Sequence, residues 1–132
     1  LHLLKKINFI SKKRISNAKK LDMNLKKINE IYLKQRITYL KEVFHLYEFR
    51  VKKKLRNKLL FYLRKNHIDA KIHYPVPMHL QPAAKEYGYK KGDFPICEEI
   101  SDTTISIPVH EFITEKQMNF VIKKIKKFFN EN

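Results

Sequence analysis

The first 28 residues carry apolar side chains at helical spacing. Apolar residues recur every three or four positions, and the only polar residue in this series is Arg14. The apolar members are Leu3, Ile7, Ile10, Ala18, Leu21, Leu25 and Ile28. This spacing places the apolar side chains along one face of a helix. Neither proline nor glycine interrupts the segment. The pattern predicts one amphipathic helix over residues 1–28, and a helix of this length often bridges two halves of a protein.

Three later segments have the composition of β-strands. Residues 43–51 are rich in aromatic and β-branched types, and their alternation places Val43, His45, Tyr47, Phe49 and Val51 on one face. Residues 68–74 are predicted to form a second strand, and residues 103–107, bounded by a proline, a third. Residues 29–42 are mixed, and no element is predicted there.

The remaining periodic segments predict helices. Residues 53–65 form one, ended by Asn66 or His67 in a left-handed conformation, and a short one begins near Pro95. Thr114 and Gln117 have the spacing of a capping box before a C-terminal apolar stripe. In chain order these elements predict an α+β fold, with helices packed on a small sheet.

The segment 71–82 (KIHYPVPMHLQP) is the strongest candidate for a ligand-binding loop. Its prolines hold Tyr74 and Val76 extended, so the loop has few conformations to lose on binding. Strand alternation would separate His73 from Tyr74, but the turn at Pro75 could direct both toward one cleft. There they would donate hydrogen bonds to an anionic ligand. From the spacing alone, a structural role for both side chains is favoured.

His79, six residues after His73, has two possible roles. A metal site would need further ligands, and Cys97 and His110 are not organised with it. A loop-ordering or substrate-facing role is therefore predicted.

Three nearby acidic residues suggest a solvated helix face paired with lysines rather than general acid or base catalysis. They are Glu98, Glu99 and Asp102.

Charge and composition narrow the possible partners. The net charge of +16 suggests a polyanion, yet only five of the 29 basic residues are arginine, the side chain that binds phosphate bidentately. A basic nucleic-acid-binding module is therefore the alternative interpretation. The single cysteine fits a reducing cytosol, and no apolar run approaches the ~20 residues that a membrane-spanning helix needs. A cytoplasmic protein without a membrane segment is expected.

The order and spacing of several motifs resemble the C-terminal end of the pyridoxal-phosphate-dependent sugar aminotransferases of the DegT/DnrJ/StrS type. The motifs are residues 71–82, residues 87–95 (YGYKKGDFP), Glu98, residues 105–110 (ISIPVH) and residues 114–117 (TEKQ). The resemblance implies the small domain of a fold-type I aminotransferase. In such a domain a long helix precedes a small, mainly antiparallel three-stranded sheet packed with helices.

The resemblance also implies an organisation and a function. Residues 1–132 would be a C-terminal small domain, with a bridging helix over 1–28 and a body over 43–132. The start at Leu1 and the short length suggest a fragment lacking the N-terminal catalytic domain. The intact enzyme would be a homodimer that transfers an amino group, with glutamate as donor, through pyridoxal phosphate to a nucleotide-linked keto sugar. An inactive remnant is a further alternative.

The resemblance assigns roles to individual residues as well. The loop with His73 and Tyr74 would lie at the mouth of the active site and contact the nucleotide-sugar substrate. His79, in the same segment, is predicted to bind the substrate with them. The lysine that forms a Schiff base with the cofactor, and the phosphate-binding cup, belong to the large domain in this family. No catalytic, cofactor-binding or metal-binding residue is therefore assigned within the chain.

Overall fold

The computed structural model describes residues 2–131, in which a long helix precedes a small sheet and its covering helices. In chain order the elements are α1 (His2–Leu25), β1 (Ile31–Tyr32), β2 (Tyr47–Val51), α2 (Lys53–Lys65), α3 (Pro95–Thr103), β3 (Thr104–Ile107) and α4 (Glu115–Asn130). Two 3₁₀ helices, Met78–Leu80 and Pro82–Tyr87, lie between α2 and α3.

The sheet has the strand order β1-β2-β3, and both strand pairs are antiparallel. Ile31 pairs with Val51, and Tyr47 pairs with Ile107. Because successive side chains of a strand point to opposite faces, Tyr47, Phe49 and Val51 all enter the core, where they are buried. The predicted α+β class, with its long N-terminal helix and three-stranded antiparallel sheet, is confirmed.

One of the three predicted strands is wrong. Residues 68–74 contribute no strand, and within residues 2–131 the only bridge of this segment joins Lys71 to Ser106. A tight turn, in which the Ala70 N–H donates to the Ile68 carbonyl at 2.7 Å, bends the backbone before a ladder can form. The third strand is instead β1, from the segment for which no element was predicted.

Two predicted boundaries also differ from the structure. The strand predicted from residue 43 begins at Tyr47, because Phe44 has a φ of 53°, which is incompatible with extended backbone. The N-terminal helix ends at Leu25, where the Ile28 N–H donates to the Leu25 carbonyl in a turn. The end of α2 is confirmed, and His67 rather than Asn66 takes the left-handed conformation, with a φ of 58°.

Helix α4 supplies much of the core by packing against α1 and α2. Its N-terminus has the predicted capping box, in which the Gln117 N–H donates to the Thr114 hydroxyl and the Thr114 N–H donates to the Gln117 side chain. The predicted apolar stripe is buried at Met118, Val121, Ile122, Ile125 and Phe128, while Phe129, also predicted to belong to it, is partly buried.

Only the C-terminal half of α1 is packed against this core. Ala18, Leu21 and Leu25 are fully buried, whereas Leu4 and Ile7 are 67% and 51% exposed. The helix is thus apolar along its length but is covered along only part of it.

A network of charged and aromatic side chains fixes the segment between β1 and β2. The Arg36 guanidinium forms ion pairs with Asp22 of α1 and with Glu42, and it lies over the rings of Phe44 and Tyr47. The buried Tyr47 hydroxyl donates to Asp22 Oδ1 at 2.7 Å. Burial, and then the bond to Asp22, raise the pKa of Tyr47 strongly. The segment is therefore held to both α1 and β2.

Candidate functional site

The sheet face opposite the core is polar and supports the predicted loop. Glu48 and Arg50 of β2 stand directly across from Ser106 and Thr104 of β3 in the antiparallel register. Ser106 and Thr104 are buried. Arg50 reaches α3 by donating from Nε to the Thr103 hydroxyl at 2.9 Å. Alternation along the two strands thus builds a polar layer from the strands that also build the core.

His73 lies on this polar layer. Its Nδ1 is 3.0 Å from Ser106 Oγ, and the Ser106 hydroxyl donates to Glu48 Oε1 at 3.3 Å. Its Nε2 has no hydrogen-bond partner within residues 2–131. The His73 side chain is therefore anchored through one ring nitrogen, and the other is available to a ligand.

Tyr74 combines a fixed backbone with an exposed side chain. Its carbonyl accepts a hydrogen bond from the Ser101 hydroxyl of α3 at 2.7 Å, and the peptide bond that joins it to His73 is cis. The residue is 70% exposed, and its ring meets the His73 imidazole edge-on with centroids 6.1 Å apart. The phenol and the free imidazole nitrogen are thus carried side by side at the surface.

His79 occupies a different environment. It is buried, its Nε2 lies 3.0 Å from Glu98 Oε1, and its ring packs 4.8 Å from that of Phe94. Glu98 Oε1 also accepts the Gly92 N–H at 2.7 Å, and this backbone bond is the main reason that the pKa of Glu98 is lowered. These contacts support the loop-ordering role for His79, while its contact with substrate stays a prediction.

The three predicted site residues lie in one loop but have different partners. His73 and Tyr74 are adjacent at the surface, whereas His79 is held by Glu98. Ser106 and Ser101, which hold the first two, were not singled out from the sequence. Ser106 lies within the ISIPVH motif, but a serine in a short strand does not reveal a partner 33 residues away. The site assignments themselves stay predictions.

The three acidic residues of α3 are all paired, but within residues 2–131 only Asp102 pairs with a lysine as predicted. Glu99 forms an ion pair with Arg50 and Asp102 with Lys53, while Glu98 contacts His79 rather than a lysine. The Lys53 ammonium is the main reason that the pKa of Asp102 is lowered. These carboxylates therefore fasten α3 to the sheet, to α2 and to the loop.

Few side chains of residues 2–131 have the surroundings that a metal ion or a covalently bound cofactor needs. Between residues 2 and 131, histidine, cysteine, aspartate and glutamate do not gather in groups of three or more that could bind a metal ion. No lysine in this range is buried. A lysine that forms a Schiff base is activated by desolvation or by a neighbouring cation, and the surface lysines lack the first of these features. No helix in this range is both long and apolar enough to cross a membrane.

The long helix, the antiparallel sheet and the anchored loop together define a class of protein. The crystal structure of DesV from S. venezuelae in complex with a ketimine intermediate matches this chain with a TM-score of 0.90 and 25% identity, over 96% of this chain and 33% of DesV. The sugar aminotransferase CalS13 from Micromonospora echinospora shares the fold, with a TM-score of 0.82 and 18% identity, over 94% of this chain and 32% of CalS13. The fold is that of the corresponding part of a sugar aminotransferase.

The chain belongs to the DegT/DnrJ/EryC1/StrS aminotransferase family, which it matches over residues 1–126. It is similar to a pleiotropic regulatory protein from Geobacillus stearothermophilus, with 36% identity over 87 residues, covering 66% of this chain and 23% of the relative. It is also similar to the dTDP-3-amino-3,6-dideoxy-alpha-D-galactopyranose transaminase of Aneurinibacillus thermoaerophilus, with 31% identity over 86 residues, covering 65% of this chain and 23% of that enzyme. The chain thus spans a third or less of the length of these proteins.

Proposed function

We propose that the chain serves as the C-terminal small domain of a pyridoxal-phosphate-dependent aminotransferase that acts on a nucleotide-linked keto sugar, with glutamate as amino donor. The domain would comprise residues 1–132, with the bridging helix over 1–28 and the body over 43–132. Its similarity to a transaminase named for a dTDP-linked sugar supports this substrate class. The working enzyme would be a cytoplasmic homodimer whose catalytic domain holds the cofactor.

The observation that carries the proposal is the anchored loop with its exposed phenol and imidazole. Ser106 fixes His73, Ser101 fixes the Tyr74 carbonyl, and Glu98 fixes His79. A loop restrained at three points loses little conformational entropy when a ligand binds. The cofactor supplies the chemistry of amino transfer when it is bound. The role of this chain would be to hold and orient the sugar against that cofactor.

The exposed part of α1 supports the second half of the proposal. Leu3, Leu4 and Ile7 form an uncovered apolar stripe on the same helix whose C-terminal half is buried. Apolar stripes of this kind commonly mark contact surfaces. The catalytic domain would cover it, and α1 would thereby link the two domains.

The nucleic-acid alternative has less support from the structure. Within residues 2–131, four of the five arginines donate hydrogen bonds to the protein itself: Arg14 to Glu111, Arg36 to Asp22 and Glu42, Arg50 to Thr103 and Glu99, and Arg64 to the Ala70 carbonyl. Guanidinium groups that bind phosphate have to be free to do so. The excess positive charge therefore resides mainly on surface lysines.

The test uses a chimera in which this chain replaces the matching third of DesV. We expect the chimera to react with glutamate and then to aminate a dTDP-linked keto sugar. Tyr74→Phe or His73→Ala should lower kcat/KM for the sugar by about 2- to 150-fold, the equivalent of one lost polar contact of about 0.5 to 3 kcal/mol. The half-reaction with glutamate should be nearly unchanged, since the cofactor site lies in the other domain.

Tyr39→Phe is the matched control, because Tyr39 is 85% exposed and lies outside the loop. It should leave both half-reactions unchanged. An equal loss in both half-reactions for the loop variants would indicate general misfolding. If the chimera reacts with glutamate and both loop variants aminate the sugar as efficiently as the unsubstituted chimera, the proposed site is contradicted.

A further inference from the structure

One hydroxyl group connects His73 to a carboxylate beneath the loop. Ser106 Oγ lies 3.0 Å from His73 Nδ1 and 3.3 Å from Glu48 Oε1. Glu48 and Ser106 are directly opposed on β2 and β3, and the Lys71 backbone, two residues before His73, forms a pair of hydrogen bonds with Ser106. Glu48, Ser106 and His73 thus form a carboxylate, hydroxyl and imidazole series whose geometry is set by the sheet.

The single proton of the Ser106 hydroxyl can satisfy only one of its two neighbours. An ionised carboxylate can only accept hydrogen bonds, whereas a neutral imidazole nitrogen either donates or accepts according to its tautomer. If Ser106 donates to Glu48, both contacts are satisfied when His73 donates its Nδ1 proton to Ser106. If Ser106 donated to His73 instead, the Glu48 carboxylate would face a hydroxyl oxygen without a proton between them.

We infer that Ser106 and Glu48 are positioning residues that hold the neutral His73 ring in its Nδ1–H tautomer. The hydrogen bond made by one ring nitrogen sets the state of the other, so Nε2 carries a lone pair and accepts. This inference deepens the proposed function and rests on it for the identity of the ligand. In the neutral ring, His73 takes a hydroxyl group of the sugar or ribose, not a phosphate oxygen. This differs from the sequence-based prediction that His73 donates to an anion, and Tyr74 alone keeps a donor role.

The tautomer can be measured directly in this chain by NMR of the ring nitrogens. The protein is labelled with ¹⁵N, and its six histidines are resolved, with His73→Gln identifying the signals of His73. The pH is raised until the spectrum no longer changes, so that the neutral ring is observed. We expect His73 Nδ1 to be protonated and Nε2 to be unprotonated. Protonation at Nε2 in the neutral ring would overturn the inference.

Three variants test the positioning residues, and a fourth, Thr104→Val, is their control. Ser106→Ala should reduce the Nδ1–H population of His73, and Thr104→Val, which removes a buried hydroxyl from the same face of β3, should not. Glu48→Ala should act in the same direction as Ser106→Ala, and because the Glu48 side chain is exposed it provides a test even if Ser106→Ala does not fold. Glu48→Gln retains an acceptor oxygen and should restore the Nδ1–H form. An unchanged tautomer in both Ser106→Ala and Glu48→Ala would refute the assignment.

Titration with a dTDP-linked sugar and with inorganic phosphate separates this inference from the proposed function. The sugar nucleotide should shift the His73 Nε2 signal while Nε2 stays unprotonated, and phosphate should not convert the ring to the Nε2–H form. Conversion by phosphate would overturn the inferred preference for a hydroxyl donor. An Nδ1–H ring that does not respond to the sugar nucleotide would support the positioning role of Ser106 while counting against the proposed substrate site.

Discussion

Tyr47→Phe is expected to lower the free energy of unfolding, and the contacts of Tyr47 give the size of the loss. The Tyr47 ring is fully buried, and the substitution keeps the ring in place. It removes one hydrogen bond to a carboxylate, from the hydroxyl to Asp22 Oδ1 at 2.7 Å. Such bonds contribute about 1.5 to 3 kcal/mol. Because Asp22 keeps two bonds from Arg36, we expect the lower end of this range, about 1.5 kcal/mol.

Urea unfolding measures this loss. With an m-value of about 1.5 kcal/mol/M for a small domain, the midpoint should fall by roughly 1 M without a change in m. Tyr62→Phe is the matched control, because Tyr62 is partly buried and its hydroxyl has no hydrogen-bond partner within residues 2–131. It should change the free energy of unfolding by less than about 0.5 kcal/mol. Equal effects of the two substitutions would refute the role assigned to the Asp22 bond.

The pH dependence offers a second check on Tyr47. Its folded-state pKa is raised above the ordinary value of 10.0, chiefly by burial. Folding therefore keeps the phenol neutral, and this contribution is fully present below pH 10 and is lost as the pH rises above it. The wild-type chain should lose stability more steeply above this pH than Tyr47→Phe does. Parallel curves would contradict the burial argument.

Three further outcomes are expected. The isolated chain should show no transaminase activity, and borohydride should trap no pyridoxal phosphate on it; an adduct mapped to one of its lysines would contradict the proposed division between domains. The uncovered stripe at Leu4 and Ile7 should cause concentration-dependent self-association in sedimentation experiments, which Leu4→Lys weakens, whereas a strictly monomeric wild-type chain would argue against a contact surface there. Because the pKa of Glu98 is lowered, its anchoring of the loop should be present above pH 4.5 and lost as the pH falls through the lowered value. The protection factor of the Gly92 amide against hydrogen exchange should fall as this bond is lost. Glu98→Gln should remove the pH dependence of that protection factor.

The parts of the fold that depend on local chemistry could be predicted from the sequence. The amphipathic stripe of α4, the capping box at Thr114 and the limits of α2 all follow from residues within a turn or two of each other. The loop that follows Lys71 was identified from its prolines and its paired histidine and tyrosine. Its fixed backbone agrees with the restricted conformations that proline imposes.

The parts that depend on distant contacts could not be predicted. Strand β1 has two residues, which are too few for a periodic pattern. It forms because Ile31 pairs with Val51 of β2. Residues 68–74 have a strand-like composition, but the turn at Asp69 leaves a single bridge to β3. Ser106 contacts His73 because the Lys71 backbone pairs with Ser106 of β3. This long-range pairing leaves no signal in the local sequence.

The sheet has an apolar face that packs in the core and a polar face that supports the loop. The candidate site therefore keeps its geometry only while the core is correctly packed. In β2, Tyr47 and Phe49 enter the core while Glu48 and Arg50 face the loop, so a slip of one residue would drive two charges into the interior. Such a slip would lower the stability of the whole fold, although the strands are only two to five residues long. The same register places Ser106 beneath the loop, where its hydrogen bonds with the Lys71 backbone and with His73 Nδ1 hold the His73 ring. A substitution of an exposed side chain of the loop, such as that of Tyr74, therefore leaves the support under His73 in place.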